Sequence, residues 1–424
     1  MRRMRTALDR ATTGSLLTAA ASQVALLASG VLSARMLGPE NRGLLALLIL
    51  IPTLVSEIGG LGLPTALPYF IAKQPERVAA TIRAVMRPAV LQAGVGTAIH
   101  VAAVVVVFWK DLETIAPAAA FSLLLVPLHF SQQYGIAILQ GMRRFTSYNL
   151  VRLIPVVGYS VLLGALLVAS AGSLDSVVMA FVVANLVASV LAIVAARPYI
   201  SGLENASPVE AAPLFRFALR GFIGAKSPIE TYRLDQVLVG VLLTPVALGL
   251  YVVALAFTNL PRFIAQSVGM IAYPRIAAET SMDEARSMMW RSFWLVAGLS
   301  GIVVLGLEIV VGSLIPLFFG AEFAPAVMAA RILLINAFLL SLRRALVEGA
   351  RGIGYPGAGS AAEAASWVLF IPALFVFGIS GGVEGIASAL TASSAFSLLV
   401  LLALISHRPG STPVADVGDP GPSA

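Results

Sequence analysis

Cysteine is absent from the 424 residues. Disulfides, thiol nucleophiles and cysteine metal sites are therefore excluded. Charge is scarce as well. Only 12% of residues are Asp, Glu, Lys or Arg, roughly half the share of a soluble chain. Three histidines occur, none at a metal-ligand spacing, so no metal or other cofactor is expected. No nucleophile–base arrangement is visible, which argues against an enzyme. One stretch fits GxGxxG, at Gly352-Ile-Gly354-Tyr-Pro-Gly357. No strand precedes it and proline interrupts it, so a loop is expected there rather than a nucleotide site.

What is present is apolar: 58% of residues are hydrophobic and the mean hydropathy is +0.92. Stretches of about 20 apolar residues, long enough to cross a bilayer, follow one another with little between them. The fold class expected is an all-α polytopic membrane protein. Transmembrane β-strands would alternate polar and apolar instead. The formal charge is +7, yet the basic residues form no patch, so nucleic acid is not expected as a partner. The N-terminal MRRMRTALDR imitates a secretory signal. The apolar run from Thr13 to Leu37 is too long for a signal's core and reads as a retained first helix.

Twelve spans are expected, near 13–37, 43–72, 86–108, 114–138, 148–170 and 174–196, then 214–243, 246–272, 288–318, 326–349, 357–379 and 382–405. They form an N-terminal six-helix lobe (1–196) and a C-terminal one (214–408). A cytoplasmic linker (197–213) separates them, and a Pro/Gly/Asp-rich tail (409–424) is expected to be disordered. Lys and Arg set the orientation. With the N-terminus inside, twenty-one basic residues fall in inner segments, against Arg35, Arg42, Lys110 and Arg331 outside. Both termini are therefore expected in the cytoplasm, with very short outer loops.

The halves echo one another. LGPENRGL at 37–44 returns as LTPVALGL at 243–250, keeping Pro39 and Gly43 as Pro245 and Gly249. The offset of about 206 carries Pro68 onto Pro274. Near 208 it carries Gly141 and Arg143 onto Gly349 and Arg351, and near 211 Arg197–Pro198 onto Arg408–Pro409. An even number of spans per half makes the repeats parallel, an arrangement typical of transporters with a central cleft.

Charges within spans are costly, by at least about 2.5–3.5 kcal/mol each, and normally face a cavity or a partner. They gather in span seven, FRFALRGFIGAKSPIETYRLDQVLVGVLL. On a helix Lys226, Glu230 and Arg233 fall within about 60° of one another, while Asp235 points away from Lys226. Arg262 follows Pro261 in span eight. Lys226, Arg233 and Arg262 are the candidate substrate-binding residues, since arginine's planar fork suits phosphate oxygens. The alternative is that Glu230 neutralises Lys226 and Arg233 and the three lock helix packing. Glu57, Glu230 and Asp235 are the candidates for ion or proton coupling, with Glu308 and Glu363 behind them. His100 and His129 are left out of the site, because a lone membrane histidine usually bonds a neighbouring helix.

ARMLGPENRGLLALLILIPTLV in spans one and two, and YRLDQVLVGVLLTPVALGLYVVALAF at the start of the second half, resemble the polysaccharide biosynthesis and O-antigen flippases. These belong to the multidrug/oligosaccharidyl-lipid/polysaccharide exporter superfamily. The resemblance implies a V-shaped, two-lobed, twelve-helix transporter in the cell (cytoplasmic) membrane. It implies a polyprenyl-pyrophosphate-linked oligosaccharide as substrate, turned across the bilayer by alternating access for polysaccharide assembly. Membrane lipids and glycan assembly proteins would be its partners. Relatives line the cavity with cations on helices one, two, seven and eight. Here Lys226, Arg233 and Arg262 match on seven and eight, while span one has only Arg35 at its outer edge and span two offers Glu57. A multidrug cation antiporter of the same fold, a membrane glycan polymerase or glycosyltransferase, and a non-transporting scaffold are the alternatives.

Overall fold

A computed structural model describes residues 2–200, 210–224, 233–378 and 380–407. The described residues form helices and turns, with no strand among them. Fifteen α-helices run in order: α1 (Arg2–Gly59), α2 (Leu63–Lys73), α3 (Val78–Val107), α4 (Leu112–Ser122), α5 (Leu125–Gly141), α6 (Phe145–Val168), α7 (Leu174–Ile200), α8 (Ala212–Gly224), α9 (Leu234–Leu242), α10 (Pro245–Ala254), α11 (Asn259–Ala277), α12 (Met282–Phe319), α13 (Ala326–Gly352), α14 (Gly357–Ala373) and α15 (Gly382–Ser406). The tail after residue 408 and linker residues 201–209 lie outside the described residues.

Among the described residues nine helical segments are long and apolar enough to cross a membrane, or ten if the bent pair of α10 and α11 is one span. The difference from the twelve expected has three local causes. Helix α1 holds two expected spans joined at Gly38, whose φ of 68° and ψ of 176° break the helix. Span eight is bent by 45° between α10 and α11. Span seven is described only as α8 and α9, on either side of residues 225–232.

Contacts divide the chain into two units, Met1–Val241 and Leu242–Ala424. The sequence sets the lobe boundary before residue 214, whereas by contact α8 groups with the first unit. Leu214 and Ala218 of α8 are buried in one core with Leu63, Ala66 and Leu67 of α2. Phe217 stacks on Tyr69, ring centroids 4.9 Å apart and 9° from parallel.

Side-chain size explains the packing. Helix α7 buries Ala184, Ala188, Ala192 and Ala196, one face at four-residue spacing, and exposes Val183, Val187, Val190 and Val194. The small face lets α5 approach until Gly135 would place a Cβ 2.7 Å from that of Ala192. Close approach through small residues is how membrane helices gain contact where lipid competes for apolar surface. Large apolar side chains point outward, as with Ile302 (71% exposed) and Ile309 (80%), a surface suited to lipid. In the second unit hydroxyls join α14 to α15: Ser397 Oγ donates to the Ala362 carbonyl at 2.6 Å, and the Oγ atoms of Ser366 and Ser393 lie 2.7 Å apart.

The repeat is visible as geometry. At the end of α5, Arg144 N donates to Leu139 O (2.8 Å) and Arg143 N to Gln140 O (3.0 Å). At the end of α13, Tyr355 N donates to Ala350 O (2.7 Å) and Gly354 N to Arg351 O (3.1 Å). Both pairs are the Schellman arrangement, and both place a left-handed residue at the turn, Arg143 (φ 57°) and Gly354 (φ 76°). The register is 211, which matches Gly141 with Gly352. The offset near 208 that paired Gly141 with Gly349 is thereby corrected. Identity at two positions is weaker evidence of equivalence than a shared hydrogen-bond pattern.

Candidate functional site

Of the six candidate residues, Lys226 and Glu230 lie outside the described residues. Arg233 is described, and its backbone is left-handed (φ 47°), with α9 starting one residue later. A helix running unbroken through Arg233 is therefore not formed, and the 100° phasing that aligned Lys226, Glu230 and Arg233 does not hold at its last member. Asp235 stands in the first turn of α9, where a carboxylate is favoured by the helix dipole.

Arg233 has a neighbour that the sequence does not announce. Arg42, expected in an outer loop, lies within α1 four residues beyond the break at Gly38. It acts electrostatically on Arg233 and on Tyr159 of α6. Arg42 is half-buried, and its Nε finds no hydrogen-bond partner among the described residues. The Tyr159 hydroxyl also finds none there. Its ring is fixed edge-on to Phe181, centroids 5.1 Å apart. Arg42 thus interacts with a second guanidinium group and, separately, with a phenol. Such a set suits an anion with several oxygens. Arg42 thus opens the second leg of α1, one residue before the expected span two. The signal was Arg42 itself, and only the position of the break at Gly38 decides whether it is loop or helix.

Glu57 sits two residues before the end of α1, beside a second break in the same expected span. Leu61 (φ 47°) and Gly62 (φ 76°) are left-handed. Gln133 Nε2 donates to Glu57 Oε1 at 3.4 Å. The Tyr134 hydroxyl donates to Gln92 Oε1 at 2.6 Å, and Gln92 Nε2 reaches the Gly60 carbonyl at 3.4 Å. A carboxylate thus sits beside the break at Leu61 and Gly62, with Gln133 of α5 on the carboxylate and Gln92 of α3 on the Gly60 carbonyl.

The second unit holds Arg262, half-buried in the first turn of α11 after the buried Pro261. Glu363 pairs with Arg343, and Glu308 lies 4.0 Å from Arg331, so both carboxylates sit in ion pairs. Among the described residues no three His, Asp or Glu side chains are grouped to hold a metal ion. His100 and His129, left out of the site as lone histidines, stand on α3 and α5 of the first unit.

Residues 13–280 match the family described as polysaccharide biosynthesis protein, well over half of the chain. The chain belongs to that family. No curated protein matches it. Among solved structures it is similar to a multidrug resistance MATE family transporter of the MOP superfamily in an inward-facing conformation, at 16% identity and TM-score 0.71, covering 91% of this chain and 94% of that one. It is similar to the lipid II flippase MurJ in an inward closed conformation, at 15% identity and TM-score 0.67, covering 93% and 88%. A MOP superfamily transporter from Pyrococcus furiosus follows at 14% identity and TM-score 0.58, covering 94% of each. At these identities the likeness establishes the fold alone, one shared with structures of MOP superfamily transporters.

Proposed function

We propose that this protein flips a lipid-linked oligosaccharide with a pyrophosphate head across the cell membrane for polysaccharide assembly. The observation that supports the proposal is the match of residues 13–280 to the polysaccharide biosynthesis family, and the electrostatic interaction of Arg42 with Arg233 and Tyr159 in the first unit gives it a candidate anion site. Like charges held together favour an anionic ligand between them, and a pyrophosphate offers enough oxygens to engage both forks at once. Its sugars and charges cannot shed their hydration in hydrocarbon, so they need a polar cleft while the prenyl tail stays in lipid. Lys226 and Arg262 remain the other candidate substrate-binding residues. Glu57, Glu230 and Asp235 remain the candidates for coupling to an ion or proton. Two lobes of six spans, rocking between inward and outward access with both termini cytoplasmic, supply the cycle. Glycan assembly proteins on either face would deliver and receive the substrate.

Flipping of a fluorescent polyprenyl-pyrophosphate oligosaccharide in proteoliposomes tests this. Arg42→Ala and Arg233→Ala are each expected to slow flipping at least about tenfold, matching the loss of one charge-assisted hydrogen bond at about 1.5–3 kcal/mol. Inorganic pyrophosphate should compete in the wild type. An organic cation transported in place of the lipid would overturn the proposal in favour of a multidrug antiporter. So would flipping indifferent to both substitutions, as far as the Arg42–Arg233 site is concerned.

A further inference from the structure

The internal repeat brings two equivalent pairs of positions to the same end of each unit. Met36 precedes LGPENRGL and Leu242 precedes LTPVALGL, at the offset of 206. Gly172 and Gly382 stand where α7 and α15, the last helix of each half, begin, at an offset of 210. Both turns fall on the side expected to be outside.

In the first unit the two positions touch. A Cβ on Gly172 would stand 2.9 Å from both Cβ and Sδ of Met36 and 3.0 Å from its Cγ. Methionine is unbranched and adapts to irregular gaps. Its side chain lies along the glycine and fills the space between the break at Gly38 and the start of α7.

In the second unit they stand apart. A Cβ on Gly382 would meet nothing within 4 Å. Between the starts of α10 and α15 lies a cavity of about 570 Å³, whose lining includes Leu242, Thr244, Val246, Leu250, Gly382 and Val383. That volume is in the range of small-molecule sites, about 300–1,000 Å³. The local cause is Leu242, shorter and branched where its counterpart is linear. Its side chain is 43% exposed and does not cover the glycine.

The surroundings decide what fits. Among the described residues Thr244 is the one polar side chain of the lining, and its hydroxyl already caps α10 by accepting from Ala247 N at 3.2 Å. Water would find too few partners there. No charged side chain lines the cavity, so it is not built for a head group. Hydrocarbon is the neighbouring solvent at the ends of spans. Val246 on the rim is exposed, as are Phe375 and Phe377 shortly before Gly382, so apolar surface continues beyond the cavity. The first unit shows the shape that belongs in this place, a linear and flexible apolar chain. The acyl chain of a lipid has that shape, whereas a prenyl chain carries methyl branches along its length.

We propose that the cavity between α10 and α15 binds one acyl chain of a membrane phospholipid, in the place that Met36 takes in the first unit. The chain lies against Val246, Leu250 and Val383 and bridges the start of α10 to the start of α15. The inference rests on the repeat and on the membrane-spanning character of the chain, not on the flippase reading.

Photolabelling in lipid nanodiscs tests it, with a phosphatidylglycerol that carries a diazirine on one acyl chain. Mass spectrometry should find adducts concentrated on residues 242–250 and 382–383. They are expected at least about fivefold above those on the lipid-facing Ile302 and Ile309. Val246→Trp fills the cavity from its exposed rim, and Leu242→Met supplies the side chain used in the first unit. Each should lower labelling there at least about threefold. Met36→Ala should do the reverse and give new adducts at Gly172.

Adducts spread evenly over exposed spans of the wild type would overturn the proposal without any variant having to fold. Unlabelled polyprenyl phosphate that displaces the label at lower concentration than unlabelled phosphatidylglycerol would overturn it in favour of a prenyl chain. A folded Met36→Ala protein without new adducts would break the equivalence of the two units at this position, and the proposal with it. None of these measurements involves flipping, so failure here is separate from failure of the flippase proposal.

Discussion

Gly352 at the end of α13 lies directly on Ile276 of α11: a Cβ there would stand 2.6 Å from Ile276 Cγ2 and 2.8 Å from its Cβ. Its counterpart in the first unit, Gly141, would place a Cβ 2.7 Å from Ile71 Cβ. The same contact thus closes the same helix end in both units. In each case the isoleucine follows shortly after one of the repeated prolines, Pro68 and Pro274.

That contact gives the first prediction. Gly352→Ala should destabilise the second unit by about 1–3 kcal/mol through overpacking. Ile276→Ala in the same chain should relieve the clash. The two changes are expected to couple by about 0.5–3 kcal/mol in a double-mutant cycle, measured by denaturant unfolding in detergent. Additive effects would show that the glycine is not there for this contact.

Gly62 gives a sharper case. A Cβ there would meet the Ala218 carbonyl oxygen at 2.3 Å, and its φ of +76° is itself unfavourable for other residues. Backbone cannot give way as a side-chain tip can. Gly62→Ala should cost at least about 1–2 kcal/mol from φ alone, with a further loss as α8 is pushed off α2. Gly94→Ala is the control: its site in α3 is open within 4 Å, and alanine there should raise stability by about 0.4–1 kcal/mol. Thermal unfolding of the two variants should move in opposite directions.

Arg343 and Glu363 form an ion pair whose side chains are 12% and 16% exposed. Removing one partner strands a charge, at a cost of about 3–5 kcal/mol for buried pairs. Arg343→Met alone is therefore expected to destabilise more than the Arg343→Met/Glu363→Leu pair. Unfolding midpoints in matched detergent will show it, and a double variant worse than both singles would refute it.

Arg42→Lys separates charge from shape. Lysine keeps the positive charge but donates as a point rather than as a planar fork. Flipping by this variant should fall between that of wild type and Arg42→Ala. The same intermediate position is expected for competition by pyrophosphate. Full activity in Arg42→Lys would mean that charge alone is used.

The membrane character, the all-helical fold and the pairing of halves were legible in the chain because they rest on long signals. Twenty apolar residues in a row have few other uses, and a repeat of prolines and glycines survives as pattern over hundreds of residues. The candidate site was legible only in part. Arg233 and Arg262 were visible as charges inside apolar runs. Arg42 was not, because it lies near a span's edge and a few residues decide between loop and helix. The Lys226–Glu230–Arg233 stripe assumed regular helix up to a position that is left-handed.

By itself, then, the sequence determined the solvent this protein lives in, its secondary structure and its internal duplication, all of which follow from local composition and period. The tertiary structure alone decided which charges meet. Arg42 interacts electrostatically with Arg233 across nearly two hundred residues, and Arg343 pairs with Glu363 on another helix. Contacts of that kind depend on where small faces such as that of α7 let helices approach. They depend equally on where left-handed residues such as Gly62 and Arg233 redirect the chain. Neither leaves a period in the sequence, because the energy that fixes them comes from packing between segments rather than within one.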